Sequence, residues 1–128
     1  MKAILLDTSI FIDYLRQKNK EKSPLFKLTD NNFYISLITH TELFSGKSVW
    51  EKKARQEEIE TILYKITILP FSIETSKLAG KLRATYNTDL IDSIIAATAI
   101  INNLELVTLN AKDFKPIPDL KIYYEAND

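Results

Sequence analysis

The sequence predicts an α/β fold: a mainly parallel central sheet flanked by helices on both faces. Three observations carry that prediction. Short apolar runs of strand length alternate along the chain with longer segments of helical spacing. The first run, Lys2 to Leu6, is a short, continuous apolar run closed by Asp7, as a strand buried on both faces requires. One helical segment, Asp89 to Ile101, is strongly apolar and carries Ala96, Ala97 and Ala99, small side chains that let a helix lie close against a sheet. At 128 residues the chain is long enough for one core and too short for two, so a single domain over 1–128 is expected.

In chain order, Thr8 to Arg16 reads as a helix with Ile12 and Leu15 on its inner face, and Gln17 to Lys22 as a charged loop. Ser23-Pro24 is a helix start, an N-cap followed by proline at the first helical position, leading into a short helix over Leu25 to Leu28. Phe33 to Ser36 is the second strand. Thr39 opens a helix that runs through Ser45 and stops at Gly46. Trp50 to Lys65 reads as one long charged helix, with Ile59, Ile62, Leu63 and Ile66 forming an apolar stripe. Thr67 to Phe71, interrupted by Pro70, suits an edge strand. Glu74 to Tyr86 repeats helical spacing at Leu78, Leu82 and Tyr86. After the alanine-rich helix come strands over Leu104 to Leu109 and Leu120 to Tyr124, with Pro116 and Pro118 in the loop between.

Composition removes several chemistries. There is no cysteine, which excludes disulfides, thiolate metal sites and cysteine nucleophiles, and suits a reducing cytoplasm. Two glycines are too few for a glycine-rich phosphate cradle. The apolar start before Asp7 is too short for a secretory segment, and no stretch approaches the length of a membrane span. Seventeen basic residues balance seventeen acidic ones, so any nucleic-acid surface must come from local clustering or from a dimer.

Parallel sheets gather polar chemistry just past the carboxyl ends of their strands. Asp7 follows the first strand directly, Glu42 lies early in the helix after the second, and Asp92 lies in the first turn of the alanine-rich helix. Asp113 follows the strand that ends at Leu109. Carboxylates repel when grouped, so a shared pocket calls for a cation. Hard oxygen ligands without cysteine suit Mg²⁺ or Mn²⁺ rather than zinc. A water on such a metal can be activated to attack a phosphodiester, while the metal neutralises charge on the phosphate oxygens.

Each acid also has a plain structural reading. Asp7 before Thr8-Ser9 can cap a helix, and Thr39 to Glu42 has the spacing of a capping box. Asp89 and Asp92 suit a helix start electrostatically, and Asp113-Phe114 suits a turn. A first-turn acid can do both jobs, so capping does not decide between the readings. The lone histidine, His40, carries no catalytic weight.

Four stretches together resemble the PIN-domain family, and within it the VapC-type toxins. They are Ile4 to Ile12, Ile35 to Leu43, Asp92 to Ala99 and Leu106 to Phe114, in the family's order and near its usual spacing. The Asp92-Ser93-Ile94-Ile95-Ala96-Ala97-Thr98-Ala99 segment is the most specific of the four.

The resemblance implies a single PIN-like domain and a Mg²⁺- or Mn²⁺-dependent endoribonuclease. It further implies a homodimer that acts on RNA and is held inactive by a cognate antitoxin. It assigns Asp7, Glu42 and Asp92 to the acidic triad, with Asp7 and Asp92 as metal ligands. Thr8 or Ser9, together with Thr108, would orient carboxylates or waters. Where some members carry a fourth acid this chain has Asn110, leaving Asp113 as the alternative supplier; Asp89 is an additional acid near Asp92. The dimer is expected on apolar stripes of the early helix and of the helices between Ser48 and Lys65. The rival expectation is a catalytically inactive module of the same fold that binds RNA or protein.

Overall fold

The computed structural model describes residues 2–123. Strands β1 (Ala3–Leu6), β2 (Asn32–Ser36), β3 (Thr67–Leu69) and β4 (Glu105–Val107) form one sheet in the order β3-β2-β1-β4, and every pairing is parallel. Helices cover it on both sides, as the alternation of runs predicts. They are α1 (Thr8–Arg16), α2 (Pro24–Lys27), α3 (Leu37–Leu43), α4 (Lys47–Glu51), α5 (Lys53–Leu63), α6 (Ile73–Tyr86), α7 (Leu90–Ile101) and α8 (Ala111–Phe114).

Side-chain alternation along the strands divides the core in two. Ile4, Leu6, Ile35 and Val107 face one layer, where they meet Phe11 of α1 and Ile59 and Leu63 of α5. Leu5 and Leu106 face the other, against Leu82 of α6 and Ile95, Ala96 and Ala99 of α7. Residues Ser93 to Ala99 of α7 are all buried, which explains a helix that is apolar around its whole circumference. No described helix is long and apolar enough to cross a membrane.

Several local expectations change. The second-strand helix starts at Leu37, not Thr39, because the Ser36 hydroxyl accepts the Ile38 N–H at 3.2 Å and takes the cap. The Thr39–Glu42 capping box therefore does not form, and Glu42 falls in the second turn. The predicted helix over Trp50 to Lys65 divides into α4 and α5 at Lys52, whose backbone is extended. Its apolar stripe is used inside the core rather than left for a partner: Ile59 and Leu63 are buried, and Ile62 and Ile66 pack on the same cluster. Asp113 sits in the short helix α8 instead of a turn. The loop after α1 includes a 3-10 turn at Lys20–Lys22. Of the predicted last strand, Tyr124 lies outside the described residues. Within them, Ile122 makes an isolated parallel bridge to Leu106 along the outer edge of β4.

Candidate active site

The chain runs from β1 outward to β2 and β3, then returns through α6 and α7 to place β4 on the other side of β1. The strand order therefore reverses between β1 and β4, and the crevice at their carboxyl ends is where ligands bind in open parallel sheets. Asp7 leaves β1 at this point, with its backbone N–H donating to Val107 O at 3.0 Å.

The Asp7 side chain is buried and held from three directions. Its Oδ1 accepts the Ser9 N–H and the Ser9 hydroxyl, both at 2.5 Å, and its Oδ2 accepts the Thr108 hydroxyl at 2.5 Å. It caps α1 and stands at the crevice at once, so capping does not exclude a ligand role. The two hydroxyls are fixed in turn by the chain that follows β4: Leu109 N–H donates to Ser9 Oγ at 3.1 Å, and Asn110 N–H to Thr108 Oγ1 at 3.0 Å. Each acts as an amide–hydroxyl–carboxylate relay, so Asp7 is fixed before any ligand arrives.

Glu42 reaches the same crevice from α3 and is half-buried; the Thr8 hydroxyl donates to its Oε1 at 2.6 Å. Thr8 also stands 3.2 Å from the fully buried Thr39 hydroxyl. From the far layer, α7 brings two acids. Asp89 is its N-cap, with Oδ2 accepting Ile91 N–H at 3.1 Å, and Asp92 is its third residue.

Asp92 shows that the acids converge electrostatically. Its pKa is pushed up from 3.8 to about 6 by burial first, then by the negative charges of Asp89, Asp7, Asp113 and Glu42 in that order. At the first turn of a helix the macrodipole favours an ionised carboxylate, so the upward shift means that burial and repulsion outweigh it. All four predicted acids therefore share one field. Asp89, read from sequence only as an additional acid beside Asp92, contributes the largest charge effect. Asp113 is exposed, at the mouth, while Asn110 is the N-cap residue of α8.

His40 lies elsewhere. Two residues from Glu42 on a helix, it points to the opposite side and packs its ring 4.9 Å from that of Phe44.

Oxygen donors without sulfur or nitrogen fit Mg²⁺ or Mn²⁺. Among the described residues, no three acidic or histidine side chains stand close enough together to form a ready ligand set. A hard cation that takes one or two carboxylates directly and keeps water on its other faces does not need such a set.

Comparison with known proteins agrees with this architecture. Residues 4–120 match the model of the PIN domain family. Ribonuclease VapC of Rickettsia bellii is 34% identical over 128 residues, spanning 93% of this chain and 93% of that protein. In the crystal structure of VapBC2 from Rickettsia felis bound to a promoter DNA fragment, one chain superposes with a TM-score of 0.77. It is 27% identical and spans 94% of this chain and 97% of that chain. A toxin–antitoxin complex from Klebsiella pneumoniae holds a chain 31% identical with a TM-score of 0.73, spanning 91% of this chain and 94% of that one. With the family match running from inside β1 to beyond α8, through every element that supplies an acid, the chain belongs to the PIN domain family, alongside relatives called Ribonuclease VapC.

Proposed function

We propose that the protein is a Mg²⁺-dependent endoribonuclease and the toxin of a type II toxin–antitoxin pair. It hydrolyses RNA phosphodiester bonds with metal-activated water, and Mn²⁺ serves in place of Mg²⁺. The observation that supports this most is the shared field of five carboxylates at the sheet's switch point, which raises the Asp92 pKa to about 6. A bound cation would relieve that repulsion.

The chemistry supplied by bound Mg²⁺ or Mn²⁺ is a water of lowered pKa and positive charge beside the phosphate oxygens. Asp7 and Asp92 are the direct holders in this reading. Asp7, fixed by Ser9 and Thr108, would be one holder, and at Asp92 a cation would favour the ionised carboxylate that burial and repulsion disfavour. Glu42, aligned by Thr8, orients water, and exposed Asp113 completes the acidic rim.

The antitoxin fits beside this pocket. A groove of about 280 Å³ lined by Ile12, Leu15, Val49 and Ile59 also has Glu42, Arg16, Arg55 and Glu58 in its walls. An apolar antitoxin segment lying in it places a basic side chain on the carboxylates and blocks cation and substrate together. The likeness to chains from solved toxin–antitoxin complexes supports such a partner. Homodimerisation is assigned to a separate surface, where Trp50 and Tyr64 are 64% and 85% exposed beside a groove of about 500 Å³. Sedimentation equilibrium separates dimer from monomer.

Purified protein and a mixed RNA pool should yield fragments with Mg²⁺ or Mn²⁺ and none with excess chelator. Fragments that persist in chelator would contradict the reading. The absence of a ready three-acid ligand set among the described residues favours one rival, an inactive module of this fold. RNA binding without cleavage under every metal condition would select it.

A further inference from the structure

We infer that Arg16 and Arg55 form a phosphate-binding subsite that holds the RNA strand beside the bond to be cleaved, not at it. The inference rests on the nuclease reading of the carboxylate cluster and adds a substrate contact to it. Both arginines line the groove of about 280 Å³ that also has Glu42 in its wall, so one groove joins them to an acid of the site.

Three observations separate this pair from ordinary surface charge. The first is that both side chains are unused. Of the three arginines in the chain, Arg83 is engaged, its Nη1 donating to Thr88 O at 2.9 Å. Arg16 and Arg55 are exposed, and neither makes a hydrogen bond or ion pair with any described residue. The second is position. Helix electrostatics accounts for Arg16, in the last turn of α1, but not for Arg55. Arg55 stands in the first turn of α5, where the macrodipole disfavours a cation and no acid of that turn balances it.

The third is local concentration. Residues 16–22 carry four basic side chains against one acidic, and residues 47–55 again four against one. A chain of zero net charge that binds a polyanion needs such a concentration. Of the two acids in the groove walls, Glu42 faces the cation in the nuclease reading, which leaves Glu58 against two arginines. A guanidinium presents a planar fork that matches two phosphate oxygens. An antitoxin segment in the same groove would exclude the strand.

A phosphate that does not react is held equally in the ground and transition states, so its loss appears in KM and not in kcat. The test measures kcat and KM on one RNA that wild type cuts, at fixed Mg²⁺ and over a range of salt. Wild type is compared with Arg16→Gln, Arg55→Gln, Arg55→Lys and Lys77→Gln, the last an exposed cation on α6. Circular dichroism establishes that each variant is folded, and calorimetry reads its Mn²⁺ affinity.

Each glutamine variant in the groove is expected to raise KM by about fivefold, with kcat within about twofold of wild type and Mn²⁺ affinity unchanged. The slope of log(kcat/KM) against log salt should become shallower by about 0.7 for each arginine removed. Arg55→Lys keeps the charge and should keep the slope, and Lys77→Gln should behave as wild type. The inference is overturned if KM and slope stay as in wild type, if kcat or Mn²⁺ affinity falls instead, or if Lys77→Gln does as much. Any of these leaves the nuclease reading intact, and unchanged RNA kinetics would assign the two guanidiniums to a protein partner. A wild-type protein that cuts no RNA removes the nuclease reading, and the subsite with it.

Discussion

Asp92→Asn is expected to lower RNA cleavage by at least about 100-fold while making the metal-free protein more stable at neutral pH. The activity loss follows because a direct holder of the cation matters more than its outer partners, which already cost about 10- to 100-fold. The stability gain follows from the raised pKa. With a folded value of about 6 against an ordinary 3.8, the native protein binds this proton more tightly than the unfolded chain does. Below about pH 4 both states are protonated and the position costs nothing. As pH rises from about 4 to 6 the unfolded chain releases its proton first, so native stability falls; above about pH 6 the loss is complete. Two pKa units correspond to about 3 kcal/mol. Asp92 is half-exposed, and solvent screening reduces this to about 1–2 kcal/mol. Urea unfolding across this pH range should show asparagine more stable than aspartate at pH 7, with the difference closing as pH approaches 4.

Asp7→Ala is expected to do the opposite to stability, costing about 3 kcal/mol or more, while also abolishing cleavage. The side chain caps α1, a role worth about 1 kcal/mol. Its removal also deprives the Ser9 and Thr108 hydroxyls of their acceptor in a site that is 4% exposed at Asp7, at about 1 kcal/mol or more each. Urea unfolding at pH 7 reads the change as a lower midpoint with unchanged slope. Two acids of one site thus respond with opposite sign: Asp7 is satisfied by three donors, whereas Asp92 faces four other carboxylates.

That contrast marks how far the sequence could be read. The sheet and the placing of Asp7, Glu42 and Asp92 at its carboxyl edge follow from apolar runs closed by acids, because a parallel strand buried on both faces leaves a plain signature. The boundaries of α1 were legible for the same reason, between a capping acid and a charged loop. Periodicity failed where short-range competition decided the outcome. Ser36 and Thr39 are both good caps, and only the geometry leaving β2 selects Ser36. The break at Lys52 carries no glycine or proline to announce it. The four-residue helix α8 is too short to show a period. Within the site, sequence order hides contacts between distant residues: the Ser9–Leu109 link and the Thr39–Thr8–Glu42 chain appear only when three strand ends meet. Asp89 read from sequence as a helix-start acid, and its charge acts on Asp92 because the two lie three residues apart at the start of α7.

On the proposed reading these carboxylates are held together to bind a divalent cation. The most direct test is calorimetric titration of Mn²⁺ into metal-free wild type and Asp92→Asn at pH 7.5. Saturable binding by wild type is expected, weaker by at least about tenfold in the variant. Equal affinity in the two proteins, or no binding to wild type, would contradict it.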